Sequence, residues 1–306
     1  MTTISQDGVT HKVITRKAVN RSDALTAFVF LAPFLIIYAV FLIYPLFRGF
    51  WISLLDWELA GGYRKFIGFE NYSDLWNDKM FWKTARNTLL FAALTVPTMT
   101  ALALALALAA SGPGRVKSVV RSVFFMSSVF SVTVVTLVWS MVLSADMGLL
   151  VPVFDAFGVK PINFLGNPKW AMPSIVLTTL WWGVGLPMAL FLAALSQIPQ
   201  ELYEAAELDQ ARRWAVLRQI TLPSIRHTVL LVVVLQIVAQ FQIFGQAQLM
   251  TQGGPANKTR TLVQYIYDTG FRDWQVGYAT AMSFALFALM LCFSLLQLWL
   301  GRKGDE

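Results

Sequence analysis

Charge is scarce in this chain. Only 13% of its 306 residues are Asp, Glu, Lys or Arg, and 57% are hydrophobic. A soluble globular protein carries about 25% charged residues. That deficit, with a positive mean hydropathy, argues against an ordinary soluble globule and for a membrane protein. Cysteine is nearly absent: Cys292 has no second cysteine to pair with, and the two histidines, His11 and His227, lie far apart. An internal disulfide is thereby excluded, and no Cys/His cluster is present to hold a structural zinc. His11 is read as a solvated tail residue and His227 as a boundary residue. No G-x-x-x-x-G-K-[ST] phosphate loop occurs, and the nearest Gly-rich basic piece, "SGPGRVKS", has the wrong spacing. The chain is therefore not expected to bind and hydrolyse ATP. No paired carboxylates, Ser/His/Asp set or Cys/His pair suggests a catalytic centre. No catalytic residue, metal or cofactor is expected on this chain. The net charge of +7 comes without basic runs interleaved with aromatics, which disfavours nucleic acid. Topology and lipid headgroups are the simpler explanation.

What the chain does have is long uncharged runs. A bilayer-crossing helix needs about 20 largely apolar residues. Segments 25–47, 86–110, 120–143, 171–196, 228–250 and 277–300 meet that length. They predict an all-α membrane protein of six spans, flanked by tails at 1–24 and 301–306. "ALALALALA" alternates with period two, but both residue types are apolar and strong helix formers, so helix is expected. Pro33, Pro45, Pro97 and Pro187 fall inside predicted spans, where each tends to kink a helix. The first apolar run is too long for a signal-peptide core and is read as a retained span. An even span count puts both termini on one side. That side has thirteen Lys and Arg against nine on the other, or eleven with Arg48 and Arg86, so cytoplasmic termini are expected. The spans lack the buried Asp, Glu, His or Arg that ion-driven carriers use to bind a coupling ion. Energy is expected to come from outside the chain.

Between the fourth and fifth runs lies a charged insert, 199–227. Pro199 can open a helix. Glu201, Glu204, Glu207 and Asp209 precede Arg212, Arg213 and Arg218, an order that suits the helix dipole. Leu202, Ala205, Ala206 and Leu208 are expected on one side, with Trp214, Leu217 and Ile220 at helical spacing further on. A surface helix or two short helices is predicted. Headgroup contact and docking of a soluble partner are equally compatible with this pattern.

The insert resembles the cytoplasmic loop of the permease subunits of ATP-binding-cassette importers. That family's signature is E-A-A, two residues, Asp, then Gly-Ala, with I-x-L-P about nine residues later. Here it reads Glu204-Ala205-Ala206, Glu207-Leu208, Asp209, Gln210-Ala211, then Ile220-Thr221-Leu222-Pro223. Three further stretches are similar to the carbohydrate branch of the family: "IYPLFRGFWISLLDW", "FIGFENY" and "LMTQGGPANKTRTLVQYIYDTGF". The resemblance implies a multi-pass protein of the cell inner membrane, working by alternating access. Its partners would be a second, different permease chain, two ATPase subunits holding ATP and Mg, and an extracytoplasmic solute-binding protein, with a sugar-type cargo. It implies that Glu204, Ala205, Ala206, Asp209, Gln210, Ala211, Leu222 and Pro223 couple to the ATPases, with Glu204 as the pairing acid. Gln210 departs from the family's Gly; in a left-handed turn it would be strained by roughly 1–2 kcal/mol. A stand-alone ion-coupled carrier, a membrane scaffold, and a family member for a polyol or glycerol phosphate are the alternatives.

The fifth run is unusually polar, with Gln236, Gln240, Gln242, Gln246 and Gln248 beside Phe241 and Phe244. Helical spacing pairs Gln236 with Gln240 and Gln242 with Gln246. Amides and aromatic rings suit a sugar's hydroxyls and C–H faces. Interhelical hydrogen bonding would favour the same residues. Gln236, Gln240, Phe241, Phe244, Trp181 and Trp182 are the pathway candidates.

Overall fold

The computed structural model describes residues 21–59, 61–62 and 64–303. The N-terminal tail up to residue 20, with His11, and residues 304–306 lie outside them. The chain divides into two compact units, Met1–Trp51 and Ile52–Glu306. The first consists of helix α1 (Arg21–Tyr38), a π turn (Ala39–Ile43) and α2 (Tyr44–Ser53), which runs two residues past the boundary. Pro33 lies inside α1, and Pro45 is the second residue of α2.

The second unit opens with a hairpin, β1 (Leu55–Trp57) and β2 (Arg64–Phe66), then α3 (Glu70–Asn77). The long α4 (Lys79–Ala110) follows. Next come α5 (Arg115–Ser127), α6 (Val132–Val142), α7 (Val151–Ala156), α8 (Ala171–Gly183) and α9 (Gly185–Leu195). The charged insert forms α10 (Gln200–Leu208), α11 (Arg213–Val216), a π turn (Leu217–Thr221) and α12 (Leu222–Ser224). The chain ends with α13 (Arg226–Phe241), a π turn (Ala247–Thr251), α14 (Leu262–Tyr267), a further π turn (Asp268–Arg272) and α15 (Val276–Lys303). Among the described residues, three helices are long and apolar enough to cross a membrane. The number reaches six if each of three bent helix pairs is one span.

Helix α4 is the mast of this unit. It packs against α8, α9, α13 and α14 and contributes to all three apolar clusters of the core. Its "ALALALALA" run is helical, as propensity predicts. Met99, Ala103 and Ala107 form one buried face, and Val184, Met188 and Phe191 of the α8–α9 region pack onto it. Small residues at i and i+4 let helix backbones approach closely, the packing that apolar surroundings favour. Pro97 lies within α4 and does not interrupt it.

Three expected spans are not straight. The run 120–143 breaks at Ser128–Ser131, with α5 and α6 at 101°. The run 171–196 bends by 47° at Val184, three residues before Pro187. The run 228–250 stops at Phe241, passes through Gln242–Phe244 without helix, and resumes at Gly245. Gln242 and Gln246 therefore do not share a helical face. The last helix runs to Lys303, past the expected end at 300.

Each break leaves backbone carbonyls without a helical partner, and water is not available in an apolar layer to satisfy them. Side chains from elsewhere do so. Trp182 Nε1 donates to the Phe130 carbonyl at 2.9 Å. The Ser127 hydroxyl reaches the Trp181 carbonyl at 3.1 Å as well as its own Phe124 carbonyl at 2.7 Å. Thr261 Oγ1 donates to the Ile243 carbonyl at 3.0 Å. The breaks in α5–α6 and α8–α9 thus cap each other. Their contact requires glycine: a β-carbon at 185 would stand 2.4 Å from the Phe124 carbonyl oxygen and 2.9 Å from Phe125 Cα.

A second knot holds the opposite end of α4. Asp78 caps the helix by accepting from the Met80 N–H at 2.7 Å, and it also accepts the hydroxyls of Tyr265 (2.6 Å) and Tyr278 (2.9 Å). One carboxylate thereby joins α4, α14 and α15. Partial burial acts to raise the Asp78 pKa, but the tyrosine and backbone hydrogen bonds outweigh it and hold the carboxyl below its ordinary value. Burial, then the bond to Asp78, pushes the Tyr265 hydroxyl up. The "TQGGPANKTRT" stretch is tied to the same helix. Asn87 Nδ2 donates to the Asn257 and Arg260 carbonyls, and Lys83 Nζ to Ala256.

Two outcomes are expected. Asp78→Ala removes the cap and both tyrosine bonds and lowers stability by about 2–4 kcal/mol, read as a drop in thermal midpoint of the detergent-purified protein. The folded pKa is depressed, so this stabilisation is fully present above the unfolded value of about 3.9 and disappears as pH falls through the folded one. The gap between the two proteins stays constant near neutrality and closes only below about pH 4. Gly185→Ala forces two backbones apart and costs at least about 3 kcal/mol, seen as loss of folded protein. A midpoint equal to that of the parent chain would show the contact to be dispensable.

Candidate functional site

Two features stand out, one at each end of α13. The first is the charged insert. Helix α10 ends in a Schellman turn: the Ala211 N–H bonds to the Ala206 carbonyl at 2.9 Å, and the Gln210 N–H to Glu207 at 3.0 Å. The residue at the turn must be left-handed, and Gln210 takes that conformation with φ of 53°. The chain accepts the strain rather than changing the turn. Pro199 stands one residue ahead of α10 as its N-cap. Pro223 does not end the helical run, which continues to Ser224 and bends by 69° into α13 at Ile225.

The eight expected coupling residues divide by exposure. Glu204, Ala205, Asp209, Gln210, Ala211 and Pro223 are exposed, Leu222 is half-buried, and Ala206 is buried. Among the described residues, the Glu204 carboxylate accepts from Gln200 Nε2 alone, at 2.8 Å, one turn back on its own helix. The residues expected on one apolar side do not share one environment, Ala206 being buried and the others exposed. Leu202 is exposed, Leu208 is 86% exposed and Trp214 69%. These nine residues are turned to the outside, while Ala206 and Thr221 are buried. A tie that the motif does not reveal closes the element: Tyr203 Oη and Thr221 Oγ1 lie 3.2 Å apart and join α10 to the π turn. Tyr203 adjoins the E-A-A triplet and Thr221 is the variable residue of I-x-L-P, so their adjacency is the signal that could have located the bond.

The second feature is a cavity of about 460 Å³ where the three helix breaks converge. Ser128 and Val132 come from the first break, Trp182, Gly183 and Pro187 from the second, and Gln242–Gln246 from the third, with Gln236 and Gln240 on α13. Gly245 lies so close to Val132 that a β-carbon there would stand 2.8 Å from its Cγ2. Irregular backbone at membrane depth is tolerated where it lines a cavity. Four of the six expected pathway residues are present: Gln236, Gln240, Phe244 and Trp182. Gln236 and Gln240 are buried and bonded to each other, Nε2 of Gln240 to Oε1 of Gln236, at 2.8 Å. Phe241 and Trp181 lie elsewhere. Phe241 is a core residue against Phe293, and Trp181 packs edge-on against Trp139. Successive helical residues diverge by about 100°, so Gln240 and Phe241, like Trp182 and Trp181, face different ways. Gln248 is occupied by Gln264 at 2.6 Å, and Gln242 Nε2 points to the Met290 sulfur. Among the described residues no group of three or more His, Cys, Asp or Glu is placed to hold a metal.

Comparison with known proteins gives a consistent result. Residues 99–304 match the family described as binding-protein-dependent transport system inner membrane component. The chain is 31% identical to the sulfoquinovosyl glycerol transport system permease protein SmoG of Agrobacterium fabrum, over 92% of each chain. It is 34% identical to the diacetylchitobiose uptake system permease protein NgcF of Streptomyces coelicolor, over 92% of this chain and 83% of that one. Its fold matches a chain of a bacterial ABC transporter that imports the acidic polysaccharide alginate, with a TM-score of 0.79 at 22% identity, covering 92% of this chain and 96% of that one. The chain belongs to the family of binding-protein-dependent transport system inner membrane components.

Proposed function

We propose that this chain is one permease half of an ATP-binding-cassette importer that carries a sugar or sugar derivative. The observation that carries the reading is the placement of the two features on α13. The exposed two-helix element adjoins its first residues, and the neutral cavity adjoins its last turns. Sixteen residues rise about 24 Å, so one rigid helix connects them. Ile225, at the bend, is buried among Met99, Ala103 and Phe191, which gives the element a seated pivot. Relatives named for saccharide cargoes support the substrate class.

In this reading the residues 25–300 make six spans, with α5–α6 and α8–α9 each counted as one and α13 opening the fifth, and both termini face the cytoplasm. The insert, 199–227, docks on one of two ATPase subunits, which hold the ATP and Mg that this chain does not bind. Glu204 is the pairing acid. Ala205 beside it leaves room for close approach, while Ala206 packs inward, and Leu208 and Trp214 supply exposed apolar contact. Asp209, Gln210 and Ala211 set the turn, and Leu222 and Pro223 lead into the pivot. A second, different permease chain completes the pathway, and an extracytoplasmic binding protein delivers the cargo. Closure of the ATPases moves the insert as a unit, because the Schellman turn and the Tyr203–Thr221 tie hold it together. The motion passes through Ile225 to α13 and to the cavity at its far end.

Glu204→Lys is expected to lower ATP-driven uptake by roughly 100-fold, the cost of replacing one partner of a desolvated charge pair with its opposite. The permease itself should still insert in the membrane. Normal uptake in that variant would sink the docking assignment. Gln210→Gly removes the left-handed strain and is expected to raise stability by about 1 kcal/mol with coupled uptake unchanged. A lower thermal midpoint would mean that the glutamine side chain contributes more than its backbone conformation costs.

A further inference from the structure

The outer side of α5 is not accounted for by the packing of the bundle. Helix α5 follows α4 after the short turn at 111–114 and packs on α4, α8 and α9. Its inward side carries Phe124, in the core beside α9, and the buried Ser127. Lys117 and Arg121 fall on that side as well. Both cap the end of α4, Lys117 Nζ donating to the Ser111 carbonyl and Arg121 Nη1 to the Ala110 carbonyl. At about 100° per residue, Arg115, Ser118, Val119, Ser122, Val123 and Met126 come round on the opposite side. All six are exposed, and together they line a groove of about 430 Å³. Among the described residues, the side chains of Arg115, Ser118 and Ser122 make no hydrogen bond or ion pair. The groove is graded. A guanidinium stands at one end, two hydroxyls follow along one edge, and apolar side chains fill the other edge and the far end.

We propose that this groove binds an anionic phospholipid. Arg115 pairs with the phosphate, the Ser118 and Ser122 hydroxyls donate to phosphate and ester oxygens, and an acyl chain lies along Val119, Val123 and Met126. Three observations select that occupant. The first is depth. The chain belongs to an inner membrane family, and α4 carries no charge from Asn87 to its end at Ala110. Arg115 begins the next helix five residues on, at the level where α4 leaves the hydrocarbon. The rise from Arg115 to Met126 is about 16 Å, close to half of a core about 30 Å thick, which is the depth of one leaflet. The second is charge. No Asp or Glu occurs between Asp78 and Asp146, so the three bases of α5 act on an anion without opposition, and a guanidinium binds phosphate through paired hydrogen bonds. The third is direction. The side of α5 that meets the helix breaks, through Ser127 and Trp181 and through Phe124 and Gly185, is opposite the groove. A second permease completing the pathway at those breaks leaves the groove facing lipid. A lipid there backs α5 against the α8–α9 break. The inference rests on the membrane placement of α4 and is independent of the cargo.

The test uses the assembled transporter purified in detergent. Dioleoylphosphatidylglycerol and dioleoylphosphatidylcholine are titrated in, and bound lipid is counted by native mass spectrometry. The phosphatidylglycerol is expected to bind at least about tenfold more tightly than the phosphatidylcholine. Arg115→Gln is expected to weaken phosphatidylglycerol about tenfold and leave phosphatidylcholine unchanged. Val123→Trp fills the groove and is expected to weaken both lipids. Equal binding of the two lipids by the parent complex, or parent-like binding of phosphatidylglycerol by both variants, overturns the inference. Displacement of phosphatidylglycerol by millimolar inorganic phosphate also overturns it, by showing a site for the free anion. A last arm places photoreactive benzoylphenylalanine at position 119 instead of Val119, with the two lipids in equal mixture. An adduct of phosphatidylglycerol mass, in excess over phosphatidylcholine, is expected. An adduct with the second permease chain overturns the inference and makes the groove a subunit interface. This arm keeps Arg115 and Val123, so it decides the question even where the other variants fail to assemble.

Discussion

A peptide carbonyl inside an apolar layer must find a donor within the protein, and most of this fold follows from how that demand is met where helices break. An unbroken helix satisfies it alone. Three of the apolar runs here are broken, and each break borrows a donor from another element: Trp182 for Phe130, Ser127 for Trp181, Thr261 for Ile243. These are long-range bonds between elements, so satisfying the backbone also fixes how the helices sit against one another. The convergence of the breaks then has a simple cause. Helix ends that cap each other must be neighbours, and irregular backbone cannot pack as densely as helix, so a cavity remains among them.

The parts of the fold that could be read in the sequence are those governed by composition over many residues. The mast α4 followed from a long uncharged run of strong helix formers. The insert followed from its charge order and the proline ahead of it. The breaks were not legible for a specific reason. Ser128–Ser131 and Gln242–Phe244 contain no proline or glycine, and the residues that stabilise them are distant in sequence. Proline was a poor guide, since Pro97 lies inside a continuous helix. At the cavity, residue type was readable and direction was not. Of two adjacent tryptophans only Trp182 lines the cavity, and of Gln240 and Phe241 only the glutamine does. Choosing between them required the phase of a helix whose end was itself misplaced.

The insert shows how a family pattern and local physics can each be right about a different level. Glycine at position 210 would be the unstrained choice for a left-handed residue, and the chain has glutamine there in the same conformation. The turn is held by the two Schellman hydrogen bonds and by the Tyr203–Thr221 tie across it. Those constraints over-determine the backbone, so a cost of about 1–2 kcal/mol does not change its path. The motif's spacing is therefore the structural requirement, and the identity of this one residue is secondary to it.

The neutrality of the cavity has a further consequence. Amides, hydroxyls and aromatic rings hold one protonation state across the whole range from about pH 4 to pH 10. Among its described lining residues nothing titrates there. Any contact this lining makes with an occupant is accordingly indifferent to acidity on either face of the membrane. Asp78, held below its ordinary value, likewise keeps its charge over that range. In the proposed role, this lining would keep one charge state on both sides of a proton gradient.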